Sequence, residues 1–144
     1  MSMLFKATVK LTEDMVVKCS SHGHSFVLDE VKPIDLETEG MNPIEATLSA
    51  LGGCQLIVAK LQAKSRNINL ISIRIELEAT LEEGACEDPG KIPHIDEIRT
   101  RFFIKAANPE HEITNFVSYV EDNCSIGYLM KNSAQMVPEV IIED

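Results

Sequence analysis

Two cysteines carry the sharpest chemical signal in this chain: Cys54, set in an apolar stretch directly behind Gly52 and Gly53, and Cys124, 70 residues later (124 − 54 = 70). A glycine in a helix interior costs about 1 kcal/mol relative to alanine, so a Gly-Gly pair marks a place where something approaches the backbone closely. A thiol beside such a gap can act as a nucleophile if it ionises, and a second thiol can capture the oxidised product as a disulfide. Both residues also fit a plain packing role. A free cysteine usually behaves as a small buried hydrophobe, and Cys124 follows Asn123 at an expected helix end, where it could fill a corner.

The remaining reactive side chains are weaker candidates. Cys19, His22 and His24 form a C-x-x-H-x-H run, which is not a common zinc spacing, and no fourth ligand is evident; the reading takes no metal and no cofactor. Cys86 sits in the acidic loop Glu82–Asp88, where neighbouring negative charge disfavours a thiolate. His94 and His111 read as a loop residue and a helix-start residue without partners. Glu45 stands three residues after Asn42, the geometry of a capping box, and that structural role competes with any catalytic one.

The elements that must position these groups follow from periodicity. Alternation over Leu4–Leu11 and Met15–Cys19 predicts a hairpin turning at Thr12–Asp14, and Ser25–Val31 a third strand joined through Ser20–His24. Lys32–Met41 reads as a surface loop. Asn42 as N-cap and Pro43 at the first helical position open a helix predicted to run to Lys64 or Arg66, with Leu48, Leu51, Ile57, Val58 and Leu61 on its apolar face. Ile68–Leu81 alternates strictly, with Ile71, Ile73, Ile75, Leu77 and Ala79 on one face, and pairs with Ile95–Ala106 in a long hairpin. Asn108-Pro109 starts a second helix to about Asp122, a short segment follows Cys124, and Val137–Ile142 reads as a closing strand.

Composition narrows the function classes. At 144 residues and 44% hydrophobic, the chain suits one domain spanning 1–144. A net charge of −10 argues against a phosphate backbone as partner, and so against nucleic acid. No run of about 18 apolar residues and no secretory signal are evident, which predicts a cytoplasmic protein without a membrane span. Four cysteines without a C-x-x-C pair then read as free, catalytic or redox-active rather than as a disulfide framework.

Four pieces of the sequence resemble the OsmC/Ohr superfamily of osmotically inducible and organic hydroperoxide resistance proteins. They are Ser21-His22-Gly23-His24 with Leu28-Asp29-Glu30, the run Asn42–Cys54, the alternating strand after Ile68, and Tyr119–Ile126 before a final strand. The resemblance implies an α+β fold with curved antiparallel sheets around a long central helix, two chains intertwined as a homodimer, and active sites at the subunit interface. It also implies a thiol peroxidase: Cys54 attacks an organic hydroperoxide and becomes a sulfenic acid, Cys124 resolves it as a disulfide, and a dithiol reductant, small molecule or lipoyl protein, restores the thiols.

The departures from that pattern matter. His22 stands where such proteins often carry an arginine, so an imidazole, or an arginine from elsewhere, is the expected thiolate stabiliser. The glutamate found ten residues before the cysteine is replaced by Ile44, and Glu45 lies nine before, which is closest to the YhfA-like branch. Nine helical residues are half a turn in angle and about 13.5 Å in length, so an orienting contact between Glu45 and Cys54 would need the other subunit. Leu51, Leu56 and Met130 are expected to line a pocket for alkyl peroxides. The alternative function is a non-catalytic dimer of the same fold that binds an apolar or thiol-containing small molecule.

Overall fold

The capping box predicted at Asn42 forms: the Glu45 carboxylate accepts from the Asn42 N–H (3.0 Å) while the Asn42 side-chain oxygen accepts from the Glu45 N–H (2.8 Å). These reciprocal bonds satisfy two N–H groups that a helix start leaves unpaired and fix the origin of α1, Pro43–Gln62. The computed structural model describes residues 1–12, 14–32 and 36–143. Glu13 of the first expected turn and residues 33–35 of the expected surface loop lie outside them. The described chain forms two compact units, 1–50 and 51–144, with the boundary inside α1.

In the first unit β1 (Thr8–Leu11), β2 (Val17–Ser21) and β3 (His24–Leu28) make an antiparallel meander in that order. The β2–β3 turn is tighter than the sequence predicts. His22 and Gly23, with φ of 33° and 90°, are its only central residues, and a pair of positive φ values matches the twist of the flanking strands as in a type I′ turn. Asp29 then ties the chain down, its carboxylate accepting from the Glu30 N–H (2.7 Å) and the Glu39 N–H (3.0 Å). The Glu39 and Glu30 amides, with Lys32 at 3.7 Å, hold its pKa below the ordinary carboxylate range.

The second unit is built on the hairpin β4 (Leu70–Ala79) and β5 (Ile98–Ala106), with α2 (Glu110–Asp122) and α3 (Ser125–Lys131) following. Helical bonding continues past α1 to Arg66, whose N–H reaches the Gln62 carbonyl at 3.1 Å. The chain then stops on Asn67, in the left-handed region at φ 56°. The Ile68 N–H to Ala63 carbonyl bond (2.8 Å) and the Asn67 N–H to Lys64 carbonyl bond (3.1 Å) are the two bonds of a Schellman cap. Ala59, Ala63, Ile68, Phe116 and Val120 pack as the core, flanked by Val58, Leu70, Ile73, Phe102 and Ala106.

Two expectations are corrected, and one further property of α1 is added. Ile71 does not face the core: a bulge between Leu70 and Ser72 adds one residue to β4, so Leu70 takes the inward place and Ile71 is 58% exposed. Val137–Ile142 forms no strand, because a strand needs a ladder partner and this single chain offers none to it. Finally, α1 is long and apolar enough by length and composition to cross a membrane, although no uninterrupted apolar run signals it. Core helices share that property, and here Leu51, Gly52, Gln55 and Ala59 are buried within the protein.

Candidate active site

Cys54 lies on the second half of α1, and the Gly-Gly pair before it divides in function. A Cβ on Gly52 would stand 2.7 Å from Leu77 Cδ1, so any larger residue there would have to displace the end of the Leu77 side chain that packs α1 onto β4. A Cβ on Gly53 would meet nothing within 4 Å. The close approach expected from both glycines is therefore made by one of them, and it sets the height of the Cys54 turn above the sheet.

The chain returns to Cys54 through α3. Cys124 is buried and serves as the N-cap of α3, its Sγ accepting from the Gly127 N–H at 3.4 Å. Ser125, the first residue of that helix, places its Oγ 3.6 Å from Cys54 Sγ, next in the chain to the buried Cys124. Gly127 fits because it is small. Its side-chain position is 3.7 Å from both Cys124 Sγ and Leu51 Cδ1, which packs α3 onto α1.

This arrangement pushes the two thiols in opposite directions. For Cys54, burial works to raise the pKa. The Ile126 N–H, the Cys124 thiol, and the Ser125 hydroxyl and N–H outweigh it, leaving the thiol more acidic than usual. For Cys124, burial again raises the pKa and the hydrogen bond it gives to Cys54 raises it further, against the opposing Gly127 N–H. Of the two thiols Cys54 is thus the readier to ionise and Cys124 the readier to keep its proton, as happens where neighbouring titrating groups are driven apart.

The donors found around Cys54 belong to α3. All four arginines are engaged elsewhere: Arg66 lies over the Tyr119 ring at 3.2 Å, Arg74 over Phe103 at 3.9 Å and against Glu76, Arg99 against Glu97, and Arg101 3.7 Å from Glu78. None acts on Cys54, whose acidity comes from amides and hydroxyl-type donors. Sequence reasoning missed Ser125 and the amides after it because backbone N–H groups have no residue type. The only available signal was Ser125 itself, next to the second cysteine. His22 sits in the first unit at the β2–β3 turn, its ring edge-on to His24 with centroids 5.0 Å apart. Glu45 is held in the capping box, nine residues before Cys54 on the same helix.

Beside the thiols a cleft of about 380 Å³ opens between α1, α3 and the start of β5; Leu51 and Met130 line it as expected, and Leu56 does not.

Comparison with known proteins agrees with this architecture. The sequence matches the family described as OsmC-like protein over residues 36–139. It is 24% identical over 124 residues to a hydroperoxide reductase of Mycoplasma genitalium, covering 86% of this chain and 84% of the relative. A hydroperoxide reductase of Mycoplasma pneumoniae is 24% identical over 136 residues, 94% and 93% of the two chains. Among solved structures, an OsmC-like protein from Mycoplasma pneumoniae has a TM-score of 0.80 at 23% identity, over 92% of this chain and 91% of that one. An organic hydroperoxide resistance protein OsmC from Legionella pneumophila has a TM-score of 0.68 at 17% identity, over 90% and 92%. These likenesses give the same mixed α and β fold with antiparallel sheets that the resemblance implied. With residues 36–139 matched, well over half its length, the chain belongs to the OsmC-like family.

Proposed function

We propose that the protein is a thiol-dependent peroxidase that reduces organic hydroperoxides. The observation that carries this reading is the seating of α3 against Cys54, which brings Ser125 Oγ to 3.6 Å from Cys54 Sγ and sets the buried second thiol, Cys124, one residue away. Relatives named hydroperoxide reductase support it.

In the proposed cycle the Cys54 thiolate attacks the terminal oxygen of the hydroperoxide; an S–O bond forms, the O–O bond breaks, and the departing alkoxide takes a proton to leave as the alcohol. Cys124 then attacks the sulfenic sulfur, the S–S bond forms, and the hydroxyl leaves as water with the Cys124 proton. A dithiol, free or carried on a lipoyl protein, reduces the disulfide by exchange. The Ser125 and Ile126 N–H groups and the Ser125 hydroxyl hold the thiolate, with His22 as a further candidate stabiliser and Glu45 as an orienting carboxylate reaching from a second copy. A homodimer in the cytoplasm is part of the reading, supported by the apolar outer face of α1, where Ile57 and Leu61 are 63% and 71% exposed.

The test is the consumption of cumene hydroperoxide by the reduced protein with a dithiol present. Cys54→Ser should abolish it. Reduced and then freed of dithiol, Cys124→Ser should consume about one peroxide per chain and stop with Cys54 as the sulfenic acid, whereas wild type stops as the Cys54–Cys124 disulfide. Wild type and Cys54→Ser equally inert, with an apolar small molecule co-purifying, would replace this reading by the non-catalytic binding one.

A further inference from the structure

The catalytic cycle leaves Gln55 without a task. Gln55 follows Cys54 on α1 and is 5% exposed, and its Oε1 is, among the described residues, the one buried side-chain oxygen or nitrogen with no hydrogen-bond partner. A buried carbonyl left unpaired opposes folding, and a methionine of similar shape would remove that penalty. The position therefore gains something from the polar group.

Gln55 is one of the residues that line the cleft beside the thiols. Leu51, Ile98, Gly127 and Met130 give it an apolar side, and Asp96, Glu97, Glu121 and Lys131 a charged one. Gly127 belongs to both cleft and thiol pair, since its N–H bonds Cys124 Sγ and its side-chain position lies 3.7 Å from that sulfur. A molecule seated there therefore adjoins the reacting sulfurs. A half-turn of the carboxamide exchanges its oxygen and nitrogen, so the group can present its unpaired acceptor to such a molecule.

We propose that Gln55 determines substrate specificity: the cleft takes the carbon chain of the hydroperoxide, and the Gln55 oxygen accepts a hydrogen bond from a hydroxyl carried on that chain. This rests on the peroxidase reading. The orphaned atom is an acceptor, so the group it selects for is a donor. A site built to bond a substrate hydroxyl discriminates strongly against an analogue that lacks it, whereas an apolar slot barely distinguishes chains that differ by one methylene.

The experiment compares kcat/KM for hexyl hydroperoxide and 6-hydroxyhexyl hydroperoxide in wild type and Gln55→Met. Wild type should prefer the hydroxylated substrate by about tenfold or more, and Gln55→Met should bring the ratio close to one by losing rate on the hydroxylated substrate. A binding arm needs no turnover: in the Cys54→Ser protein, 1-hexanol should shift the Gln55 side-chain NH2 resonances at lower concentration than its methyl ether, which cannot donate a hydrogen bond, does. Wild type that reduces both hydroperoxides equally well overturns the Gln55 assignment while leaving the peroxidase in place. A preference that survives Gln55→Met also overturns it. If neither hydroperoxide is consumed, the peroxidase reading fails, and the comparison of hexanol with its methyl ether alone decides whether Gln55 reads a hydroxyl.

Discussion

The core behind α1 and the outer apolar surface of the same chain are made of similar residues and have opposite fates. Ala59, Ala63, Ile68, Phe116 and Val120 close on one another within one chain. Ile57 and Leu61, on the other side of α1, and Val140 and Ile142, near the end of the chain, are left in the open, the last two at 83% and 87% exposure. The chain completes the scaffold that holds its thiols, but not the cover over its apolar surface. A second copy is the simplest cover, and the proposed dimer would supply partner strands and fill the open space at Gly53.

The largest effect that would break this comparison is on the closed side. Phe116→Ala should cost about 3–5 kcal/mol of unfolding free energy in denaturant titration, because it empties a site that Val120, Ala59 and Ala63 surround and cannot refill. A loss below about 1 kcal/mol would mean that the cluster is loosely packed and that the contrast with the open surface is false.

On the open side, Val140→Glu with Ile142→Glu should leave the far-ultraviolet circular dichroism of the chain nearly intact and shift sedimentation from dimer toward monomer. Charged side chains there leave the chain's own core untouched but do not tolerate burial under a second copy. A dimer of unchanged stability would show that this terminal segment is not part of the cover.

The same division explains what could be read in advance. The capping box at Asn42, the Cys54 helix and the β4–β5 hairpin are specified by neighbours a few residues apart, so their patterns are visible in a list of letters. The bulge at Leu70–Ser72 is only half visible: the adjacent apolar pair Leu70-Ile71 breaks the alternation, but pairing with β5 is needed to show which residue is extra. The apolar run Val137–Ile142 carries a strand pattern whose partner is not in the chain. At the site, the two cysteines stand out by residue type, whereas the amides of Ser125 and Ile126 become thiolate donors only once α3 is set against α1. The same holds for Gln55, an unremarkable letter until its oxygen is found sealed and unpaired.

The smallest predicted effect sharpens the account of Cys54. Ser125→Ala deletes the hydroxyl 3.6 Å from Cys54 Sγ and keeps the backbone N–H. A bond given to a thiolate favours the charged form, so its loss must raise the Cys54 pKa from its lowered position toward the ordinary thiol value. The sign fixes where the difference appears. Peroxide consumption rises with pH as Cys54 ionises and then levels off. The variant should follow the same curve displaced to higher pH, slower by roughly fivefold on the acidic limb if the bond is worth about 1 kcal/mol, and equal to wild type on the plateau. Thiolate absorbance near 240 nm reads the same shift without any turnover. His22→Ala provides the contrast: an imidazolium acting on Cys54 would move the titration more than Ser125→Ala does, and would do so only at pH values where the imidazole is protonated. A midpoint that responds to Ser125 and ignores His22 makes the start of α3 the source of the acidity; the reverse result returns that role to the β2–β3 turn.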